Sequence, residues 1–198
     1  MYVSVYLTNS TKTDQLRTTF ILGRCRLVLM ISRASTLLVV IALLSMSMVQ
    51  ADEEWVIRED GVGPVKIGMT LPELNTVLQQ RFSMPKDKDE QACFYVKPTK
   101  HPHIAFMIED GRLSRVDVDG PGILTTEGIQ VGESEEHARR VYGVKLKVEP
   151  HHYIDDGHYL TVRSKDGRYG IRFETEKGKI QRFYAGRFEA VQYVEGCL

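Results

Sequence analysis

Five of the six histidines in this 198-residue chain fall in two short stretches, "HPH" (His101, His103) and "EPHHYIDDGH" (His151, His152, His158). Imidazoles are the commonest protein ligands for zinc and copper, so these stretches are the first place to look for chemistry. A strand puts residues i and i+2 on one face, which would let His101 and His103 share an ion. Pro102 lies between them and points instead to a loop or the first residue of a strand. In the second stretch the spacing of His151, His152 and His158 matches no zinc pattern. As a metal- or small-ligand-binding module, the chain would use those three. Carboxylates pair at Asp117/Asp119, Glu135-Glu136 and Asp155-Asp156. General acid–base work needs two carboxyls in different environments facing one cleft. Neighbours in a strand point to opposite sides, however, and a Glu pair suits a helix start, while Asp155-Asp156-Gly157 suits a turn. The chain contains no G-x-S-x-G, no phosphate-cradling Gly loop and no H-E-x-x-H. The residues thus point to a non-enzymatic protein with no cofactor.

The elements that would hold these side chains begin after a leader. Arg33 precedes an apolar run from Leu37 to about Met48, and Val49 and Ala51 fit the small-residue cleavage pattern of a signal peptide. The run is about a dozen residues, short of the roughly 20 that span a bilayer. Residues 30–51 therefore read as a signal peptide, and residues 1–29 as an upstream extension ahead of the natural start at Met30. Cys25 precedes the apolar run, which excludes a lipoprotein signal. The reading is a periplasmic or secreted protein with no membrane span after cleavage.

Of the 26 basic and 26 acidic residues, five Lys/Arg and one Asp precede Asp52, so the segment 52–198 carries 21 against 25. Its Lys and Arg are scattered singly, and no basic field attracts a nucleic-acid backbone. The same segment keeps two of the three cysteines, Cys93 and Cys197. An even count in an exported protein reads as one disulfide, here closing a loop of about 100 residues.

Periodicity organises the rest. A short strand is expected at Trp55–Ile57, then an apolar strand in "GVGPVKIG" ending at Gly68. "MTLPELNTVLQQRF" follows as a helix ending before Pro85, with Thr70 as N-cap and Glu73 at the capping-box spacing. Leu71, Leu74, Val77 and Leu78 form its apolar face. "ACFYVKP", "HIAFMIE" and "RLSRVDV" read as strands. Asp110-Gly111 signals a hairpin, and the broken alternation in the third strand signals a bulge or twist near Ser114. Then the plan recurs: Gly128–Gly132 parallels Val65–Gly68, Ser134 caps a helix with Ala138, Val141 and Tyr142 inward, and three strands follow in "HYLTVRS", "YGIRFET" and "KIQRFYA". Gly111 and Gly178, like Arg115 and Arg182, are 67 residues apart. The expected fold is α+β, with two tandem helix-plus-antiparallel-meander repeats (52–122 and 123–198). Together they would form one antiparallel sheet with the helices on one face, a core neither copy could bury alone.

With Gly68-Met69-Thr70 in the first half and Gly132-Glu133-Ser134 in the second, the chain resembles a group of exported tandem α+β proteins. That group contains the beta-lactamase inhibitor protein and the outer-membrane assembly lipoprotein of the small-protein-A type. Its members start a helix with G-M/S-T/S-x-x-E/Q and follow it with an antiparallel meander. The resemblance covers most of residues 60–190 in plan and implies a non-catalytic, protein-binding scaffold. This chain differs in having no lipobox and one disulfide joining the halves rather than one in each. A partner among envelope or secreted proteins is expected, bound through an open sheet face. Aromatic and Arg side chains anchor such interfaces, and Arg182, Phe183, Tyr184, Arg187 and Phe188 in "RFYAGRFEAVQY" are the candidates.

Overall fold

The computed structural model describes residues 54–197; the leader segments 1–29 and 30–51 lie outside the described residues. The described chain is α+β. Three two-residue strands, β1 (Ile57–Arg58), β2 (Gly61–Val62) and β3 (Val65–Lys66), make a small antiparallel sheet. Helix α1 (Leu71–Leu78) leads to β4 (Cys93–Val96), β5 (Ile104–Glu109) and β6 (Arg112–Val118). Helix α2 (Glu135–Tyr142) leads to β7 (Leu146–Pro150), β8 (His158–Arg163), β9 (Tyr169–Glu176) and β10 (Lys179–Arg187). The second group completes a seven-stranded sheet in the order β4-β5-β6-β10-β9-β8-β7, antiparallel throughout.

Local chemistry explains the boundaries. Glu73 accepts hydrogen bonds from the Thr70 N–H (2.7 Å) and hydroxyl (2.8 Å), closing the start of α1. The helix stops at Leu78, earlier than the apolar pattern suggests, because Gln79 turns left-handed (φ 49°). Asn75 stabilises that reversal by accepting the Phe82 N–H at 2.7 Å and donating to the Phe82 carbonyl at 3.2 Å. Ser134 accepts the His137 N–H at 3.1 Å to cap α2.

The predicted hairpin at Asp110-Gly111 (φ 49° and 73°) and its counterpart at Lys177-Gly178 (φ 49° and 71°) have left-handed residues at both turn positions. This geometry matches the twist of the flanking strands. The bulge expected near Ser114 is present: Met107 pairs with Arg115 and Ile108 with Leu113, which leaves Ser114 extra. Gln181, 67 residues later, is extra in the same way between Ile180 and Arg182. The start of each helix is tied to a strand alike. Gly68 donates to Leu113 and Leu113 to Met69 (2.7 and 2.8 Å), while Gly132 donates to Ile180 and Ile180 to Glu133 (both 2.9 Å).

Four expectations are corrected. The single antiparallel sheet is two, because among the described strands β1–β3 pair only with one another and form a small sheet of their own. Gly128–Val131 is no strand: Thr125 and Ile129 close a turn there, with the Thr125 N–H on the Ile129 carbonyl (2.9 Å) and the Ile129 N–H on the Thr125 hydroxyl (3.2 Å). Strand β7, not anticipated, adds an outer strand whose alternation, with partly buried Leu146 and Val148, is too short to announce itself. Val77 and Val141 are 37 % and 39 % exposed, because each short helix turns only a narrow stripe toward the sheet.

That stripe, Leu71 and Leu74 from α1 and Ala138 and Tyr142 from α2, joins one apolar cluster with alternate residues of the strands, including Phe106, Val116, Phe173 and Phe183. Both helices thus pack on one face of the large sheet. The two groups of strands meet at β6–β10, where Gly186 pairs with Arg115. A Cβ on Gly186 would fall 2.2 Å from the Ser114 carbonyl oxygen. Gly186→Ala is expected to lower stability by about 2 kcal/mol, the cost typical of overpacking. An unchanged urea midpoint would show that the seam yields without penalty.

Candidate binding face of the sheet

The other face of the large sheet carries a second, polar layer. Three rows cross it, read from the strand registers. One runs Tyr95–Met107–Arg115–Gly186–Gly170, the next Asp117–Tyr184–Arg172–Thr161–Lys147, and the third Arg182–Glu174–Tyr159–Glu149. Met107, Tyr159, Tyr184, Arg115 and Arg172 are each at most 5 % exposed, although both described α-helices pack on the other face. The C-terminal segment lies over Arg115 and Arg172, which bond it, and His151 lies over Tyr159. After β10 the chain makes a short turn, Ala190–Gln192, crosses the sheet and ends in the disulfide between Cys197 and Cys93 of edge strand β4. A Cβ on Gly170 would lie 2.8 Å from the Val162 carbonyl oxygen and 3.1 and 3.5 Å from Phe188 and Val191 side-chain atoms, so the glycine relieves both the neighbouring strand and the segment above it.

Two buried arginines hold this strap. Arg115 grips Asp117 with Nε and Nη2 at 2.7 and 2.8 Å, and Nη2 also donates to the Tyr95 hydroxyl at 2.8 Å. Its Nη1 donates to the Ala190 and Tyr193 carbonyls, both at 3.0 Å. The guanidinium carbon stands 4.3 Å from the centre of the Tyr184 ring. Arg172 donates to the Thr161 hydroxyl (2.9 Å), to Glu149 (3.4 Å) and to the Gln192 side-chain carbonyl, and lies 4.9 Å from the Tyr159 ring centre. Burial, with the Asp117 carboxylate adding to it, pushes the Tyr95 phenol up to about 12. Burial and then Glu174 raise the Tyr184 phenol further, and its hydroxyl donates to Glu174 at 3.0 Å.

From the opposite edge, the connection between β7 and β8 reaches toward the strap. His151 stacks on Tyr159 (4.4 Å between ring centres) and accepts the Tyr153 N–H on Nδ1 at 3.1 Å. In the neutral ring, that leaves Nε2 to donate to Glu174 at 3.4 Å. The Tyr153 hydroxyl bonds the Glu195 carboxylate on the strap, which raises the Tyr153 phenol. Between connection and strap lies an open groove of about 470 Å³, lined by His152, Tyr153, Tyr193, Val194, Glu195 and Gly196. Tyr153, Tyr193 and Val194 are 61 %, 40 % and 38 % exposed.

The five residues expected to form one interface are divided. Phe183 points into the helix-side core and Tyr184 lies under the strap, 0 % and 2 % exposed. The two-residue period of a strand forbids consecutive side chains from sharing a face. Arg182 and Arg187 are exposed, and Phe188 is half-buried beneath Arg163, 4.0 Å from its ring centre. The histidines separate too. His151 is in the polar layer, His152 at the groove edge-on to Tyr153, and His158 on the helix side with Nδ1 3.0 Å from Glu135. His101 stacks on Trp55 and His103 meets Asp119 at 3.3 Å. Among the described residues, no three His, Cys, Asp or Glu side chains are grouped to hold a metal ion. Nor is any described helix long and apolar enough to cross a membrane. No protein-family model, curated protein or solved structure matches the chain.

The Cys93–Cys197 pairing expected from the sequence already ties the tail to another strand; what sequence reasoning missed is that this tail straps the polar face and that two buried arginines grip it.

Two expected outcomes follow from these contacts. Arg115→Leu leaves Asp117 without its cation and two strap carbonyls without their donor. It should cost about 3 kcal/mol in urea unfolding, and adding Asp117→Asn should recover part of the loss; no recovery would mean the strap contacts dominate. Glu135 on α2 accepts from Arg139 (2.5 Å), the Thr175 hydroxyl (2.8 Å) and His158, and although burial opposes ionisation these bonds hold its carboxyl below the ordinary value. Its stabilisation is complete above the unfolded carboxyl pKa and lost as pH falls through the lower folded one. Glu135→Gln should therefore flatten part of the acid limb of a stability–pH profile; superimposable limbs would remove Glu135 from that role.

Proposed function

We propose that residues 52–198 are an exported, non-enzymatic binding module for another envelope or secreted protein, and that the partner is met at the groove on the strap-bearing face. The observation that carries this reading is the exposed Tyr153–Tyr193–Val194 surface, held by the Tyr153–Glu195 bond, the Arg115 bond to the Tyr193 carbonyl and the Cys93–Cys197 disulfide. Exposed tyrosines on a rigid support bury much area at little ordering cost, which is why they dominate interface energetics. The disulfide suits an oxidising compartment, in keeping with export through the 30–51 leader. The 67-residue offset shared by the bulges, hairpin turns and strand ties at the helix starts supports an internal duplication, in line with the resemblance to tandem-repeat inhibitor and assembly proteins.

The test compares proteins captured from a native envelope extract by the wild-type protein, by Tyr153→Ala/Tyr193→Ala and by Arg182→Ala/Arg187→Ala. A partner kept by the wild type and the arginine variant, and weakened at least ~30-fold by loss of the tyrosines, is the expected result. A partner lost only from the arginine variant would move the contact to the end of β10; one kept equally by all three would remove both surfaces.

A further inference from the structure

Three of the aromatic rings around the polar face are matched with cations from the same chain. Arg115 stands over Tyr184, Arg172 over Tyr159 and Arg163 over Phe188. In the first two cases a carboxylate completes the set: Asp117 bonds Arg115, and Glu149 bonds Arg172. The geometry is repeated because it suits a guanidinium, whose plane stacks on the negative face of a ring while its edge donates to a carboxylate.

The groove supplies two members of the same set. Tyr153 and Tyr193 provide rings, and Glu195 provides a carboxylate already bonded to the Tyr153 hydroxyl. The His152 ring meets Tyr153 at 86° with centres 4.6 Å apart, adding an aromatic wall. Among the described residues no Arg or Lys of the chain stands over Tyr153 or Tyr193, and Glu195 is the only acidic or basic side chain apart from His152 in the lining. The groove is thus lined by two tyrosine rings and one carboxylate, with no Arg or Lys among its lining residues; the nearby Arg115, which reaches the Tyr193 carbonyl, is already paired with Asp117. Its volume of about 470 Å³ is enough for a long side chain.

We propose that the groove receives an arginine side chain of the partner protein, stacked on Tyr153 or Tyr193 and hydrogen-bonded to Glu195. This rests on the groove being the partner-contact surface and specifies the chemistry that the partner must present there. The partner's arginine takes the role that Arg115 and Arg172 take within the chain.

The test needs no partner. The purified, disulfide-bonded protein, isotopically labelled, is titrated at pH 8, where an ordinary imidazole is neutral. The two probes are Nα-acetyl-arginine amide and its neutral near-isostere Nα-acetyl-citrulline amide. Saturable NMR shifts at Tyr153, Tyr193 and Glu195 are expected with the arginine probe, and at least tenfold weaker binding with citrulline. Glu195→Gln and Tyr193→Leu, both at exposed positions, should each weaken the arginine probe about tenfold while leaving the rest of the spectrum in place. Equal response to the two probes, shifts confined to other residues, or no response at tens of millimolar probe would overturn the arginine assignment. If that happens while partner capture still depends on Tyr153 and Tyr193, the arginine assignment alone fails; if capture ignores both tyrosines, the groove is not the contact surface.

Discussion

A single buried cation makes the second face of this sheet possible. The strap is irregular backbone laid over a sheet, and buried carbonyls without donors cost free energy comparable to a lost hydrogen bond. Arg115 meets that requirement by donating to Ala190 and Tyr193 at once. Its own desolvation is offset by the bidentate bond to Asp117 and the Tyr184 ring beneath it. The same guanidinium reaches the Tyr95 hydroxyl on edge strand β4. One side chain on β6 therefore links the middle of the sheet, its edge and the tail, and each of its five N–H donors has a protein acceptor.

The two faces solve the burial problem differently. On the helix side, Leu74, Phe106 and Phe173 are removed from water by apolar contact alone, a mode that tolerates exchange of similar volumes. On the strap side, burial depends on charge pairing, aromatic stacking and small residues at Gly170 and Gly186. A network of that kind is specific because each unmet polar group is costly. Its geometry is correspondingly hard to alter one residue at a time.

This difference also decides what was legible in the sequence. Alternation, capping boxes and turn residues are local, and from them the α+β class, both helix starts, six of the strands, the Asp110-Gly111 hairpin and the bulge at Ser114 could be read. The Cys93–Cys197 bridge was legible from cysteine count and compartment. Alternation reveals that a strand has two faces, though not what covers the second. Arg115, Tyr184 and Tyr159 look like exposed polar-face residues until their carbonyl, carboxylate and ring partners are known. Those partners are up to 78 positions away in the chain. Phe183 and Tyr184 failed as a shared surface for a local reason that was available, the two-residue period. Strand β7 and the turn at Gly128–Val131 were missed because two apolar residues in a short stretch satisfy several templates equally.

The tail must span three strand spacings from β10 to β4, about 14 Å, and it is held at both ends of its last stretch: by Arg115 at the Tyr193 carbonyl and by the disulfide at Cys197. Val194, Glu195 and Gly196 lie between those two anchors and form one wall of the groove. Their position is therefore set by the sheet below, though they belong to no regular element. Loops positioned by a rigid scaffold are where recognition surfaces usually reside, and a contact held in place before binding loses less entropy when a partner arrives. A groove walled by the strap persists only while both anchors hold. An oxidising compartment and an intact Arg115–Asp117 pair are thus physical conditions for the surface assigned to binding, and the resources spent on the strap side of the sheet converge on that one place.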